Sequence, residues 1–220
     1  MKAYEKSKLN TVKRGANRAT YDVEKINNIL DAGFIGYVSY TYQGKAIAIP
    51  MAYGRRDNTI ILHGSNANRM LTSLLAVKEM SMTVMHLDAL VMARSGFHHS
   101  VNYRSVTLFG TAKKIEETTD KNTALLCFME HIMKGRWDGI REMSQQEFDR
   151  TLVVEMTIEK ASAKIRDVGV ADEPEDYELD VWAGLIPIKQ IAEYPIADKG
   201  KPENMEIPEH ILDYYEQNKK

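Results

Sequence analysis

From residue 34 onward the chain carries short apolar runs separated by turn residues, which is a pattern typical of β-strands. Residues 34–42 are rich in aromatic and β-branched side chains, and residues 46–53 follow after a glycine turn, so the two stretches predict a hairpin. Residues 59–63 form a third apolar run. Pro50 cannot donate to a sheet ladder, so we expect it at an edge, at a bulge or at a break that faces a ligand.

Apolar residues at helical spacing predict three helices. An N-cap at Asp22 opens the first helix, and the other two are predicted over residues 67–78 and 120–133. The remaining strands are predicted over residues 81–87, 90–93, 103–113, 152–159 and 163–168. Hairpins with inserted helices favour a mainly β fold, either an antiparallel sheet or a closed barrel, with peripheral helices.

The two ends of the chain lack this regular pattern. The first stretch is polar and basic, which favours a solvated arm over about residues 1–20. The residues after Pro187 carry scattered prolines and few periodic apolar positions, so an extended tail is expected over about residues 189–220. No internal repeat or low-complexity linker divides the sequence, and we expect residues 1–220 to form a single domain.

Composition and charge exclude several classes of protein. The 220 residues contain 29 Lys and Arg against 31 Asp and Glu, a formal charge of −2, so the basic surface that binds nucleic acid is not expected. No apolar run is long enough to span a bilayer, and the first residues lack the apolar core of a secretory signal, which predicts a cytoplasmic protein without membrane contact. Cys127, the single cysteine, lies in an apolar run and is expected to be a small buried hydrophobe.

A strand–turn–helix junction over residues 63–71 is the first segment that could carry chemistry. The free N–H groups of a helix start favour a phosphate, and the Ser65 hydroxyl and the Arg69 guanidinium could add donors. In the alternative interpretation Ser65 or Asn66 only caps the helix and Arg69 lies in water. The spacing by itself favours this second interpretation.

The second such segment is residues 90–106, which gathers two arginines, two histidines, an asparagine, a tyrosine and several hydroxyls between two strands. A polyanion, or a planar ring rich in acceptors, would use these donors. A metal site built from His63, His98 and His99 is the competing interpretation. Adjacent histidines point apart on a strand, and no metal-binding spacing supports such a site, so no metal is expected.

The sequence resembles the nitroimidazole-reductase-like flavoproteins of the pyridoxamine-phosphate oxidase superfamily, which fold as a split β-barrel and bind FMN. Residues 93–106, followed by residues 109–112, look like the signature loop and strand of that family. Further similar segments, in the family's order, are residues 63–71, 135–138, 161–166 and 181–188. The arginine- and lysine-rich phosphate clamp of the true pyridoxamine-phosphate oxidases is not found, so vitamin B6 oxidation is not expected.

The resemblance implies FMN at the interface of a homodimer, with its phosphate near Ser65 and Arg69 and its ring against the backbone of residues 49–51. His63 and His98 are the candidates for a proton relay to reduced flavin, or else they are purely structural. Some contacts would come from the partner chain. The implied cofactor contacts are Ile49, Pro50, Met51, His63, Gly64, Ser65, Arg69, Met70, Ala93, Arg94, His98, Asn102, Tyr103, Arg104, Ser105 and Trp182.

The leading functional hypothesis from the resemblance is an FMN-dependent oxidoreductase that passes electrons to a small planar acceptor such as a nitro-aromatic. The chain has no GxGxxG pattern, so NAD(P)H as electron donor would have to bind transiently at the flavin face. The alternative is a protein that stores, carries or senses FMN without turnover. A split barrel adapted to haem, with a histidine as axial ligand, is the third hypothesis.

Overall fold

The computed structural model describes residues 2–200 and 205–220. Its helices are α1 (Val23–Asp31), α2 (Arg69–Val77), α3 (Thr118–Ile132), α4 (Gln145–Arg150) and α5 (Glu209–Asn218). Its strands are β1 (Ala19–Thr20), β2 (Ile35–Tyr42), β3 (Lys45–Ala52), β4 (Gly54–Arg56), β5 (Thr59–Ser65), β6 (Glu79–Met92), β7 (Ser100–Lys114), β8 (Thr151–Arg166) and β9 (Gly184–Pro187). The mainly β prediction is therefore confirmed.

All strand pairs are antiparallel, and the main path of the sheet runs β3-β2-β6-β7-β8-β5-β4. The short strands β1 and β9 pair with β8 and β6 outside this path. The path does not close on itself, because β3 and β4 remain at its two ends. Pro50 lies in β3, so of its three expected positions the structure shows the edge of the sheet.

Two long strands replace four predicted short ones. Residues 81–87 and 90–93 belong to the single strand β6, and residues 152–159 and 163–168 fall almost entirely in β8. The ladder between β6 and β7 shifts register between Leu87 and Ala89, and the ladder between β7 and β8 shifts between Phe109 and Gly110. An extra residue at a bulge breaks the alternation of side chains without ending the strand, which explains the predicted gaps.

Two apolar clusters hold the helices on the sheet. The larger one joins α1 and α2 to the sheet, and Ile26 and Leu30 of α1 and Leu71 and Leu74 of α2 are fully buried in it. The smaller one lies under α3 and includes Phe128. Helix α2 follows β5 in the chain, and its first residues line a cleft together with residues of the edge strand β3.

The N-terminal segment is mostly exposed, as its polar composition predicts, but two buried side chains anchor it to the fold. Tyr4 is only 3% exposed and its hydroxyl donates to Asn58, and the buried Asn10 donates to the carbonyl of Ala161. Two inward-facing anchors in a polar run leave no periodic signal in the sequence, which is why the pattern missed them. Met1 lies outside the described residues.

The C-terminal tail is extended only in part, because α5 occupies residues 209–218. Its Tyr215 ring meets Tyr194 edge-on, and the amide of Ala192 donates to the carbonyl of Asn218. Residues 201–204, which the tail prediction includes, lie outside the described residues. Within the described parts of the chain, no helix combines the length and the apolar character that crossing a bilayer requires.

Candidate functional site

A cleft of about 390 Å³ opens where the N-terminus of α2 meets the edge of the sheet. Residues 49–51 come to it from β3 and residues 68–70 from the start of α2. The structure thus brings together two segments that the resemblance places around one ligand. The cleft is lined by Tyr40, Ile49, Pro50, Met51, Asn68, Arg69 and Met70.

Helix α2 is capped by Asn68, not by Ser65 or Asn66 as the sequence suggested. The Asn68 side-chain oxygen accepts from the amide of Leu71, whereas the Ser65 hydroxyl accepts from the amide of Ala67 in the preceding turn. The cap thus pairs the amide of the third residue of the helix. The amides of the first two residues, Arg69 and Met70, have no acceptor inside the helix. These two amides and the positive end of the helix dipole make the start of α2 suitable for an anion.

Arg69 adds a full positive charge to the same cleft. Its guanidinium lies over the ring of Tyr42, 4.5 Å from the ring centre. Its pKa is raised above the ordinary arginine value, first by the neighbouring Tyr40 hydroxyl, so the side chain stays charged. Within the described parts of the chain, Arg69 forms no ion pair with a carboxylate, which leaves its donors for a ligand.

Tyr40 is a site residue that the sequence interpretation missed. It is only 7% exposed, it lines the cleft, and its hydroxyl has no hydrogen-bond partner among the described residues. The sequence did carry one signal. Tyr40 is two residues from the buried Val38 on β2, so both side chains lie on the same face of the strand. A strand position that faces the core and carries a hydroxyl is a polar group that needs a partner.

The donor-rich loop between β6 and β7 lies away from this cleft in the same chain. Pro50 is in register with Thr107 through β2 and β6, and Arg104 is three residues farther along β7. With strands about 4.8 Å apart and a rise of about 3.4 Å per residue, Arg104 is roughly 15–20 Å from Pro50. One chain therefore does not bring the two groups of predicted contacts together.

Most of these loop donors are bonded within the chain. The backbone amide and the guanidinium of Arg94 both donate to Asp172, whose side chain is fully buried, and Arg104 forms an ion pair with Asp88. The buried Asn102 accepts from Arg166. The other predicted contacts here occupy different settings: Ala93 is buried, Tyr103 is half-buried, and Ser105 donates weakly to the carbonyl of Lys164.

Neither histidine proposed for proton relay lines the cleft. His63 lies on β5, where its ring meets Phe128 edge-on with 4.3 Å between centroids, and burial lowers its pKa. His98 lies 3.5 Å from the carboxylate of Glu173. Gly64 packs against Asn68 behind the cleft, while Trp182 is 68% exposed and packs its ring against Gly184. Contact of these residues with a flavin stays a prediction.

The family model described as pyridoxamine 5′-phosphate oxidase matches residues 22–165. The chain belongs to this family. The flavocytochrome Anf3 from Azotobacter vinelandii is 33% identical to it, with a TM-score of 0.89 over 94% of this chain and 97% of that one. The FAD and haem binding protein from Mycobacterium smegmatis is 26% identical, with a TM-score of 0.85 over 90% and 97%.

A third structure shares the fold alone. It is a candidate 5-nitroimidazole antibiotic resistance protein from Bacteroides thetaiotaomicron, 20% identical with a TM-score of 0.58 over 67% of this chain and 86% of that one. The comparison with curated proteins gives no match. The resemblance inferred from the sequence and the split-barrel fold are thereby confirmed, and the chain has a flavin-binding fold.

The cleft fits one part of a flavin nucleotide, its phosphoryl group. The start of α2 presents two free amides, Arg69 presents a charge, and the Tyr40 hydroxyl is buried without an acceptor. These are the donors that a phosphoryl oxygen accepts from. The free edge of β3 adjoins them and can face the polar rim of a flavin ring.

Proposed function

We propose that this chain is a flavin-dependent oxidoreductase that holds riboflavin 5′-phosphate, as FMN or within FAD, in the cleft at α2. One observation carries the proposal: the cleft gathers Arg69 and a helix start, with no carboxylate among its lining residues. The family and the two relatives with 33% and 26% identity support a flavin as the ligand. FMN follows from the sequence resemblance, and FAD from the name of the mycobacterial relative.

The bound flavin would supply hydride acceptance and electron transfer. The chain's own residues would anchor the phosphoryl end at α2 and hold the ring end against the backbone of β3. Among the described residues β3 pairs with β2 alone, so one row of its N–H and C=O groups is free along this edge of the sheet. Pro50 lacks an N–H, which leaves a gap in that row of donors beside the ligand.

The complete site would be shared by two copies of the chain. The loop contacts implied by the resemblance are roughly 15–20 Å from the cleft in one chain, so a second copy would have to supply them. The outer face of the sheet favours such a contact, since Tyr37 and Met85 are 49% and 53% exposed there and Ala48 is exposed beside them. Exposed apolar side chains on one face of a sheet are a feature of interaction surfaces.

The proposed reaction takes electrons from a small donor such as NAD(P)H and passes them to a small planar acceptor such as a nitro-aromatic. An open cleft at a sheet edge supports access by such molecules. Adding NADPH or NADH to the flavin-loaded protein should bleach the flavin, and a nitro-aromatic should restore its colour. Bleaching without reoxidation by any acceptor would favour the carrier or sensor alternative.

A second candidate function is a flavin protein that also binds haem, favoured by the two relatives named for both kinds of cofactor or as a flavocytochrome. His63 and His210 each have a buried ring nitrogen without a partner in the described residues, as an axial ligand needs. Both rings have close neighbours in the folded chain, because Phe128 meets His63 edge-on and His210 lies beside Gly135. A Soret band in the purified protein would establish this second cofactor.

The proposal is tested by titrating flavin-free protein with FMN and FAD and recording the quenching of flavin fluorescence. Saturable binding of one flavin per chain supports the proposal, and the tighter of the two flavins identifies the cofactor. Size-exclusion mass measurement on the loaded protein tests the shared site. A monomer that carries a full complement of flavin would contradict it.

A further inference from the structure

The Tyr40 hydroxyl is a buried polar group without an explanation inside the fold. Tyr40 is 7% exposed, and no acceptor for its proton exists among the described residues. The Arg69 guanidinium neighbours this hydroxyl, but a guanidinium carries only donors and cannot accept the proton of the phenol. Leaving a buried hydroxyl unpaired destabilises the folded chain, and a ligand that accepts its proton removes that cost.

Both neighbours of this hydroxyl point to an anionic acceptor. Tyr40 lines the same cleft as Arg69 and the first residues of α2. A phosphoryl oxygen that accepts from the helix start can accept from Arg69 and from a phenol on the opposite wall at the same time, because each oxygen has more than one lone pair. A neutral carbonyl would satisfy the hydroxyl but would leave the guanidinium charge without a counterion.

We propose that the Tyr40 hydroxyl donates a hydrogen bond to a phosphoryl oxygen of the bound flavin and is a binding residue of this site. The inference rests on the proposed function and adds a third kind of donor to the helix amides and Arg69. The donor comes from β2, so the phosphoryl group would connect α2 to the sheet. Flavin binding would then hold the start of α2 and the edge of the sheet together.

The test compares Tyr40→Phe with the wild type, using FMN, FAD and riboflavin as probes of the flavin-free protein. FMN and FAD carry the phosphoryl group and riboflavin does not. The variant should bind FMN and FAD about tenfold more weakly, the usual effect of losing a hydrogen bond to a charged group, and riboflavin unchanged. Thermal unfolding of the flavin-free variant should not be lowered, because the hydroxyl has no partner to lose.

Tyr53→Phe is the matched control. Tyr53 is fully buried, and its hydroxyl donates to the carbonyl of Leu30 at 2.6 Å, away from the cleft. This variant should unfold at a lower temperature because it leaves the carbonyl unpaired, and it should bind FMN like the wild type.

Two results would overturn the assignment of Tyr40 alone. In the first, the wild type binds FMN and Tyr40→Phe binds it equally well. In the second, Tyr40→Phe loses FMN and riboflavin affinity to the same extent, which would place the hydroxyl at the ring or in the packing. If the wild type binds none of the three probes, the proposed function and the Tyr40 assignment both fail. This result differs from the first two, in which the wild type binds FMN.

Discussion

Replacing Asn68 by Asp separates the structural role of the α2 cap from its role toward an anion. Asn68 caps the helix through the 3.1 Å hydrogen bond that its side chain accepts from Leu71, and it lines the cleft. Asp caps a helix as well as Asn does, and its charge interacts favourably with the helix dipole. The flavin-free variant should therefore unfold at the wild-type temperature or slightly above it.

The same charge should weaken flavin binding. Two unit charges about 5 Å apart repel by about 0.8 kcal/mol in water and by about 3 kcal/mol at an effective dielectric constant of 20. These two energies correspond to binding that is roughly fourfold and a few hundredfold weaker for each unit of phosphoryl charge. Because the cleft is open to solvent, we expect a loss of about tenfold, nearer the lower limit, which shrinks as salt is added.

The assay is a fluorescence titration of Asn68→Asp with FMN and with riboflavin at low and high salt, beside thermal unfolding of the flavin-free protein. Ser144→Asp is the control, because Ser144 caps α4 in the same way and lies outside the cleft. Its FMN affinity should equal that of the wild type. If Asn68→Asp keeps its stability and binds FMN as tightly as the wild type does, the phosphoryl group is not at the start of α2.

Two further predictions concern Arg69 and His63. Arg69→Ala should weaken FMN binding by about tenfold or more with little effect on unfolding, whereas Arg141→Ala, which removes another exposed arginine outside the cleft lining, should not change it. An unchanged affinity in Arg69→Ala would refute the anion site. Because burial lowers the pKa of His63, the unfolded chain takes up its proton first, and stability should fall as pH drops below about 6.5. In thermal unfolding at about pH 7.5 and 5.5, His63→Gln should show a smaller loss than the wild type, and an equal loss would contradict this.

The sequence was sufficient to predict the strands and helices that alternate cleanly, because their periodicity depends only on which face is buried. It limited Pro50 to an edge, a bulge or a break, and it placed Asp22 at the first helix cap, because both positions depend on local backbone chemistry. The sequence pattern divided β6 and β8 into two predicted strands each, because a bulge shifts the alternation of side chains without ending the strand. Pattern analysis treats such a shift as the end of a strand.

The candidate site was predictable only in part, for a different physical reason. Ile49 to Met51 and Arg69 follow from the family resemblance, and the fold brings them to one cleft. Tyr40 was missed because its importance depends on a long-range fact, the lack of any partner for its hydroxyl in the folded chain. Sequence spacing carries no information on which buried donors remain unpaired.

The most direct test of the central claim is a crystal structure of the protein loaded with the flavin that it binds more tightly. We predict a phosphoryl group at the start of α2, within hydrogen-bond distance of the amides of Arg69 and Met70 and of the Tyr40 hydroxyl, with the ring along β3. A flavin whose phosphoryl group lies elsewhere, with the cleft at α2 empty, would contradict it.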